Sequence, residues 1–273
     1  MGIFDGILIC TDLDGTLLRN DKTISAENRE AIEYFKREGG YFTFITGRMP
    51  YYAQEAYRTV NPNVAFGCIN GGGVYDGTGR EYVWTCRLSS DALALVESVD
   101  RQLPHVGIQV CTFDRTYFAK ENETMVTVRR ETGLPNYVCD YHEVKEPIAK
   151  IIFGSDDGEE IAKAEQILKA HPNAGAFELI RSERRLFEIL PKGVHKGLAL
   201  SKLIEHLGVD PQKTVAVGDY NNDVGMLRAA RYGIAVANAC KEAMDAANLV
   251  TVSNEEHAIA RIIYDIEGGR IAF

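Results

Sequence analysis

The sequence lacks the marks of an exported or membrane-bound protein. Its six cysteines show no C-x-x-C spacing and several lie inside apolar, strand-like runs, which favours reduced, buried thiols in a cytoplasmic protein. No apolar stretch approaches the length that spans a membrane. The first six residues carry no basic cluster of the kind found in signal peptides, and Gly6 stands where a myristoylation signal needs Ser or Thr. We therefore expect a cytoplasmic protein with no membrane partner.

Basic residues are fewer than acidic ones. Lys and Arg number 30 against 39 for Asp and Glu, which gives a net charge of −9 and disfavours a nucleic-acid partner. We find no internal repeat and no low-complexity segment. The remaining composition, 45% hydrophobic and 25% charged, is typical of a water-soluble globular protein. A length of 273 residues allows one large domain or two modest ones.

Two carboxylates follow the first apolar run of the chain. Residues 7–11 are mostly apolar and lead into Asp12, Leu13, Asp14 and Gly15, a pattern that predicts a buried parallel strand with a ligand-binding loop at its carboxyl end. At about 4 Å and an effective dielectric constant near 20, two such carboxylates repel by roughly 4 kcal/mol, or about three pK units. The pair therefore indicates a divalent metal, a split pair of pKa values, or both. A solvated turn is the alternative, because Asp and Gly dominate turns.

A second strand is predicted over residues 41–45, and it ends in Thr46, Gly47 and Arg48. A hydroxyl, free backbone N–H groups and a guanidinium at one strand end are suited to binding an anion. The alternative is a plain strand-to-helix turn, since Pro50 is a natural helix starter.

A third polar strand end lies near the C-terminus. A βα alternation resumes at Lys196, and residues 214–217 form a buried strand that leads into Asp219, Asn222 and Asp223. Capping of the following helix is the alternative role of Asp223. Polar side chains, here acids and amides, therefore cluster after this strand as they do after the first predicted strand.

Neither acidic stretch fits the calcium loop of an EF-hand. That loop needs glycine in its sixth position and glutamate in its twelfth. Counted from the first acid, the N-terminal stretch has Leu17 and Thr23 there, and the C-terminal stretch has Val224 and Ala230. Another kind of site is therefore indicated.

The pattern of predicted elements divides the chain. Residues 1–85 and 191–273 show βα alternation, which predicts an α/β fold with a Rossmann-like parallel sheet. Between them, residues 86–190 form a separate α+β module. Its predicted helices cover 91–101, 124–132 and 158–170, and its predicted strands cover 106–113, 116–119, 148–153, 177–180 and 186–190.

Four motifs in order along the chain resemble the haloacid dehalogenase-like hydrolases, and within them the Cof-type phosphatases with a type IIB cap. They are Asp-x-Asp-Gly-Thr-Leu from Asp12, Ile-Thr-Gly-Arg around Thr46, Pro-x-Gly-Val-x-Lys-Gly around Lys196, and Gly-Asp-x-x-Asn-Asp around Asp219. The match spans nearly the whole chain. It implies a core built from 1–85 and 191–273 and an inserted α+β cap at 86–190 that selects the substrate.

The resemblance also implies roles for single residues. Asp12 would attack phosphorus and form an aspartyl-phosphate, and Asp14 would protonate the leaving alcohol and then activate water. Mg²⁺ would be held by Asp12, the backbone carbonyl of Asp14 and Asp219, with Asp223 in support. Catalytic Lys196, together with Thr46, would hold the transferring phosphoryl oxygens. The groups implied in phosphate binding are Thr46, Gly47, Arg48 and Asn222.

The resemblance predicts a Mg²⁺-dependent phosphatase for small phosphorylated metabolites, sugar phosphates first, acting as a monomer or homodimer. Two other functions stay open at this point: a phosphomutase related to phosphomannomutases, and a sensor that binds phosphometabolites without turnover. One departure from the family pattern is His195, where a small residue is common. A solvated histidine and a contact with substrate are both compatible with that position.

Overall fold

The computed structural model describes residues 2–273, over which the chain forms thirteen strands and nine α-helices. The strands are β1 (Leu8–Thr11), β2 (Tyr41–Phe44), β3 (Phe66–Cys68), β4 (Gly73–Asp76), β5 (Glu81–Thr85), β6 (Gly107–Thr112), β7 (Thr116–Lys120), β8 (Ile148–Gly154), β9 (Phe177–Glu183), β10 (Leu186–Pro191), β11 (Thr214–Gly218), β12 (Tyr232–Ala235) and β13 (Leu249–Val250). The helices are α1 (Ala26–Arg37), α2 (Gln54–Val60), α3 (Ala92–Gln102), α4 (Glu123–Thr132), α5 (Gly158–Ala170), α6 (Lys196–Leu207), α7 (Val224–Ala229), α8 (Lys241–Ala246) and α9 (Ala258–Glu267).

The chain divides into two compact units. The first runs up to Gly47 and adds Ala53–Thr85 and His195–Phe273. The second consists of Arg48–Tyr52 and Cys86–Val194. Among the residues that the structure describes, none of the helices is both long and apolar enough to span a bilayer.

The first unit is built on a five-stranded parallel sheet with the order β13-β12-β11-β1-β2. All four residues of β1 are buried, as expected for a parallel strand covered on both faces. Leu8 and Cys10 belong to a core cluster with residues of α6 and α7, such as Leu200 and Met226. The predicted α/β fold with a parallel-sheet core is confirmed.

The register of this sheet determines where its polar loops lie. Thr11 is paired with Phe44 on one side and with Val217 on the other. The residues that follow these three strands therefore emerge at the same edge of the sheet, because the carboxyl ends of parallel strands all lie at one edge. A small antiparallel sheet, β3-β4-β5, belongs to the same unit.

The second unit contains a five-stranded antiparallel sheet with the order β7-β6-β8-β10-β9. Helices α3 and α5 pack on one face of it, where Val96, Ile161 and Phe187 belong to one apolar cluster. Its strands and helices lie close to the positions predicted from the sequence; the largest difference is β9, which extends three residues further than expected.

Candidate active site

Asp12 stands directly after β1, at the carboxyl edge of the parallel sheet. Its backbone N–H continues the β1–β11 pairing by donating to the Val217 carbonyl oxygen at 2.8 Å. The residue is almost completely buried, with 8% of its surface exposed. Burial raises the pKa of Asp12 well above its ordinary value, and the nearby Asp223 and Asp219 raise it further, while Lys196 opposes the shift.

Lys196 is the first residue of α6 and is buried among these acids. Its Nζ donates to Asp12 Oδ1 at 2.6 Å and to Asp223 Oδ1 at 2.5 Å. Burial alone would lower the pKa of Lys196, but Asp12 and Asp223 outweigh it and raise the pKa. The side chain is therefore a permanent ammonium. It joins Asp12, which follows β1, to Asp223, which lies in the turn after β11.

Asp223 is fully buried at the end of a 3-10 turn, Asn221–Asp223, that follows β11. While its Oδ1 accepts from Lys196, its Oδ2 accepts from the backbone N–H groups of Asp219 and Tyr220 at 2.9 and 3.0 Å. Both oxygens are thus engaged. Asp223 holds the turn closed and at the same time fixes the lysine.

Asp219 lies one residue beyond β11, and its position depends on the loop after β1. Thr16 Oγ1 donates to Asp219 Oδ1 at 2.7 Å. Gly15 has φ +81, and a Cβ atom there would lie 2.6 Å from Asp219 Oδ2, so only glycine fits. Burial, with a further contribution from Asp223, raises the pKa of Asp219 to about 6.

Three carboxylates therefore converge on one place. Asp12, Asp219 and Asp223 each offer an oxygen, and these oxygens lie within 4.8 Å of one another. One ammonium, that of Lys196, faces three acids, and this excess of negative charge adds to burial in raising the pKa values of Asp12 and Asp219. Carboxylate oxygens are hard ligands of the kind that Mg²⁺ prefers, so the donor set fits this ion.

Asp14 is not a member of this cluster. Its side chain is 42% exposed, and Oδ1 accepts a hydrogen bond of 2.8 Å from Lys22 Nζ. Lys22 has φ +66, which is uncommon for a lysine, and it belongs to the polar segment that follows the Asp-x-Asp motif. No motif in the sequence pointed to this lysine.

Amide side chains anchor the same polar segment to loops after later strands. Asn238 Nδ2 donates to the Gly15 carbonyl oxygen at 2.8 Å, and Asn254 Nδ2 donates to that of Leu18 at 3.0 Å. Glu255 accepts from the backbone N–H of Asn20 at 2.7 Å. The loop that carries Asp14 is therefore held in place from three points, none of which has a motif that sequence reasoning could have used.

The predicted phosphate-binding residues Thr46 and Asn222 are brought together through a residue that the sequence analysis missed. The Thr46 carbonyl oxygen accepts from the Asn70 backbone N–H at 3.1 Å, and Asn222 Nδ2 donates to Asn70 Oδ1 at 3.0 Å. Gly47 also lies against this amide, because a Cβ there would be 2.9 Å from Asn70 Oδ1. Asn70 precedes three glycines, and no sequence motif singled it out.

Arg48 and His195 are the remaining two residues singled out from the sequence. Arg48 falls in the second compact unit, where its guanidinium carbon lies 4.9 Å from the centre of the Tyr52 ring. His195 is exposed, and its imidazole lies next to Gly225 and Gly197, at which a Cβ would be 2.5 and 2.9 Å from Nδ1. A role in phosphate binding stays a prediction for Arg48.

By fold and by site, this is an α/β protein with an acidic, lysine-containing centre at the carboxyl edge of a parallel sheet. A model of the haloacid dehalogenase-like hydrolase family matches residues 9–263. The chain belongs to that family, as the four sequence motifs predicted.

Similar proteins agree with this assignment. The 5-amino-6-(5-phospho-D-ribitylamino)uracil phosphatase YitU of Bacillus subtilis is 27% identical, over 94% of this chain and 96% of its own. A solved haloacid dehalogenase-like hydrolase of Bacteroides thetaiotaomicron is 24% identical, with a TM-score of 0.83 over 95% of this chain and 99% of its own. A solved subclass IIB sugar phosphatase is 20% identical, with a TM-score of 0.82 over 97% and 100%. At such identities the two structures show the fold alone, whereas the family and the named phosphatase support the prediction of a hydrolase with phosphatase activity.

Proposed function

We propose that this protein is a Mg²⁺-dependent phosphatase that hydrolyses small phosphorylated metabolites, sugar phosphates first among them. The observation that carries the proposal is the buried contact between Asp12 and Lys196, at 2.6 Å, beside two further carboxylates. The relative named as a phosphatase of a phosphorylated ribityl compound supports the substrate class. The six free cysteines fit action in the cytoplasm.

In this proposal Asp12 is the nucleophile. One of its carboxylate oxygens forms a bond to phosphorus while the bond from phosphorus to the leaving alcohol breaks, which yields an aspartyl-phosphate on Asp12. Lys196, already in contact with Asp12, offsets the negative charge of the incoming phosphoryl group. Because Asp12 and Asp223 raise the pKa of the lysine in spite of its burial, it stays charged throughout the working range of pH.

Asp14 is the proposed acid and base of the reaction. In its protonated form it gives a proton to the leaving alcohol oxygen, and the resulting carboxylate then takes a proton from the water that attacks the aspartyl-phosphate. Inorganic phosphate leaves and Asp12 is regenerated. The exposure of Asp14, greater than that of Asp12 and Asp223, is consistent with a group that must exchange protons with substrate and water.

Asp12 and Asp219, with the backbone carbonyl of Asp14 and with Asp223 in support, are the groups that we propose to hold Mg²⁺. When bound, the ion would supply positive charge to a cluster in which acids outnumber ammonium groups by three to one. We assign the binding of the phosphoryl oxygens to Thr46, Gly47, Arg48 and Asn222. We assign residues 1–85 and 191–273 to the hydrolase core, and residues 86–190 to a cap that selects the leaving group.

The test is hydrolysis by the purified protein of p-nitrophenyl phosphate and of a panel of phosphorylated sugars, with Mg²⁺ and with EDTA. We expect phosphate release that needs Mg²⁺, and its loss below detection in Asp12→Asn, which keeps the side-chain shape but removes the nucleophile. Circular dichroism should show the variant folded. Turnover by Asp12→Asn at the wild-type rate would contradict the role of Asp12, and transfer of label from a hexose bisphosphate to a sugar instead of water would identify a phosphomutase.

A further inference from the structure

The turn after β3 has an unusual backbone. Three consecutive residues have positive φ: Ile69 at +59, Asn70 at +51 and Gly71 at +104. This region suits glycine and is tolerated by asparagine, but it is strained for a β-branched residue such as isoleucine. Ile69 and Asn70 are both fully buried. The surrounding structure must therefore hold the turn in this form, and strained backbone that is held in this way is often found at functional sites.

The side chain and backbone of Asn70 connect two loops of the candidate site. Its N–H donates to the Thr46 carbonyl oxygen in the loop after β2, and its Oδ1 accepts from Asn222 Nδ2 in the turn after β11. Gly47 approaches the same amide so closely that any larger residue would collide with it. Asn70 thus touches both segments to which we assign the phosphoryl oxygens.

Gly71, the next residue of the turn, lies against the start of α6. A Cβ atom on Gly71 would lie 2.0 Å from the His195 carbonyl oxygen and 2.9 Å from the Lys196 backbone nitrogen. The turn is therefore packed against the start of α6, directly beside the residue whose side chain contacts Asp12. A change in the backbone of residues 69–71 would move the base of the catalytic lysine.

We propose that Asn70 is a positioning residue: it holds the Asn222 amide and the Thr46–Gly47 backbone in one fixed arrangement, so that both can bind the same phosphoryl group during its transfer. The proposal rests on the proposed phosphatase function. Asparagine meets both requirements of the position, because it tolerates positive φ and its carbonyl oxygen fixes the orientation of the Asn222 amide. Glycine meets only the first requirement, which makes Asn70→Gly the informative variant.

Asn70→Gly keeps a residue that adopts positive φ without strain and removes only the side chain. With p-nitrophenyl phosphate and Mg²⁺, we expect kcat to fall by about 10- to 100-fold, the usual loss when a group that orients a functional residue is removed. KM should stay within about threefold, because an interaction needed mainly in the transition state affects kcat and kcat/KM alike. The inhibition constant of orthovanadate, which mimics the geometry of the transferring phosphoryl group, should rise in parallel with the loss of kcat.

Asn61→Gly is the matched control. Asn61 also has positive φ, at +50, but it is exposed at the end of α2 and makes none of the contacts described above. Its replacement should leave kcat, KM and orthovanadate inhibition unchanged. Circular dichroism and the melting temperature, recorded for both variants, show whether either has lost its fold.

A double variant tests whether Asn70 acts through Asn222. If it does, Asn222→Ala combined with Asn70→Gly should be no more than about threefold slower than Asn222→Ala alone, because the second change removes an interaction that is already lost. Independent, multiplying losses would contradict the proposal, and so would a folded Asn70→Gly protein with kcat within twofold of wild type.

Calorimetric binding of orthovanadate with Mg²⁺ separates this proposal from the proposed function. A wild-type protein that binds orthovanadate without hydrolysing any phosphate ester would contradict the function only, and weaker binding by Asn70→Gly would still support the positioning role. Equal binding by wild type and Asn70→Gly would contradict that role whatever the activity.

Discussion

Two lysines are buried and ion-paired among the residues that the structure describes, and they differ in the number of acids around them. In the first unit, Lys196 faces Asp12 and Asp223, with Asp219 close by. In the second unit, Lys150 of β8 pairs with Glu188 of β10 at 2.9 Å, and these two side chains are 5% and 4% exposed. The first set has more acid than ammonium. The second matches one lysine with one carboxylate.

The difference is visible in the pKa values. Burial alone would lower the pKa of Lys150, but Glu188 outweighs it, so the pKa is raised and the pair stays charged. In the first unit the lysine is likewise held charged, yet burial and mutual repulsion raise the pKa values of Asp12 and Asp219. In the Lys150–Glu188 pair the two charges offset each other. An unmatched set of acids is ready for a cation and is the pattern expected of a functional site.

The largest expected difference between the two lysines is in catalysis. Lys196→Met should lower kcat/KM for p-nitrophenyl phosphate by at least about 10³-fold, because the site then has no fixed ammonium to offset the charge of the phosphoryl group. Lys150→Met, measured on folded protein, should stay within about threefold of wild type. Steady-state kinetics with saturating Mg²⁺ makes the comparison. Equal losses in the two variants would mean that the two lysines do not differ in function.

The matched pair should instead matter for stability. Lys150→Met leaves Glu188 buried without this ammonium, and we expect the free energy of unfolding to fall by about 3–5 kcal/mol. The double variant Lys150→Met/Glu188→Leu removes both charges and should recover most of that loss, because apolar residues of similar volume often replace a buried pair without penalty. Urea denaturation measures both variants. A double variant as unstable as the single one would show that the pair does more than balance its own charges.

The sequence predicted the acid-rich set much better than the matched pair. Asp12, Asp219 and Asp223 each follow a strand of predicted parallel type, and the register of such a sheet brings strand ends together without further information. Lys150 and Glu188 stand inside predicted strands, separated by 38 positions. Nothing in either strand alone tells which neighbour it pairs with, so a buried lysine there could not be matched to its acid.

Asn70 and Lys22 escaped prediction for a different reason. Both have positive φ, which depends on how the rest of the chain holds the turn and not on local preference. Asn70 meets Asn222 across 152 positions of sequence, and the Asn-Gly pair is a common turn signal in any protein. The contact between Lys22 and Asp14 depends on a long, flexible side chain that could have pointed elsewhere.

A smaller effect, a gain of stability when a charge is removed, should distinguish the acids of the site from the Lys150–Glu188 pair. Asp219 has its pKa raised from 3.8 to about 6, so between these values the folded protein holds a proton that the unfolded chain has lost. The contribution of Asp219 to stability is therefore most favourable at low pH, declines as pH rises through this window and is fully lost above about pH 6. In the absence of metal the loss is at most roughly 3 kcal/mol, at 1.36 kcal/mol per pK unit.

Asp219→Asn cannot ionise and should escape this loss. In EDTA at pH 7.5 we expect the variant to be more stable than wild type by about 1–3 kcal/mol, and the difference should shrink toward pH 4. Glu188→Gln, the corresponding change in the matched pair, should lose stability at pH 7.5, because it leaves Lys150 facing an uncharged amide. Millimolar Mg²⁺ should then stabilise wild type more than Asp219→Asn, since the ion binds the folded form of the intact acid set. Equal pH profiles for wild type and Asp219→Asn in EDTA would mean that the three acids are not in electrostatic conflict, and the need for a cation at this site would lose its physical basis.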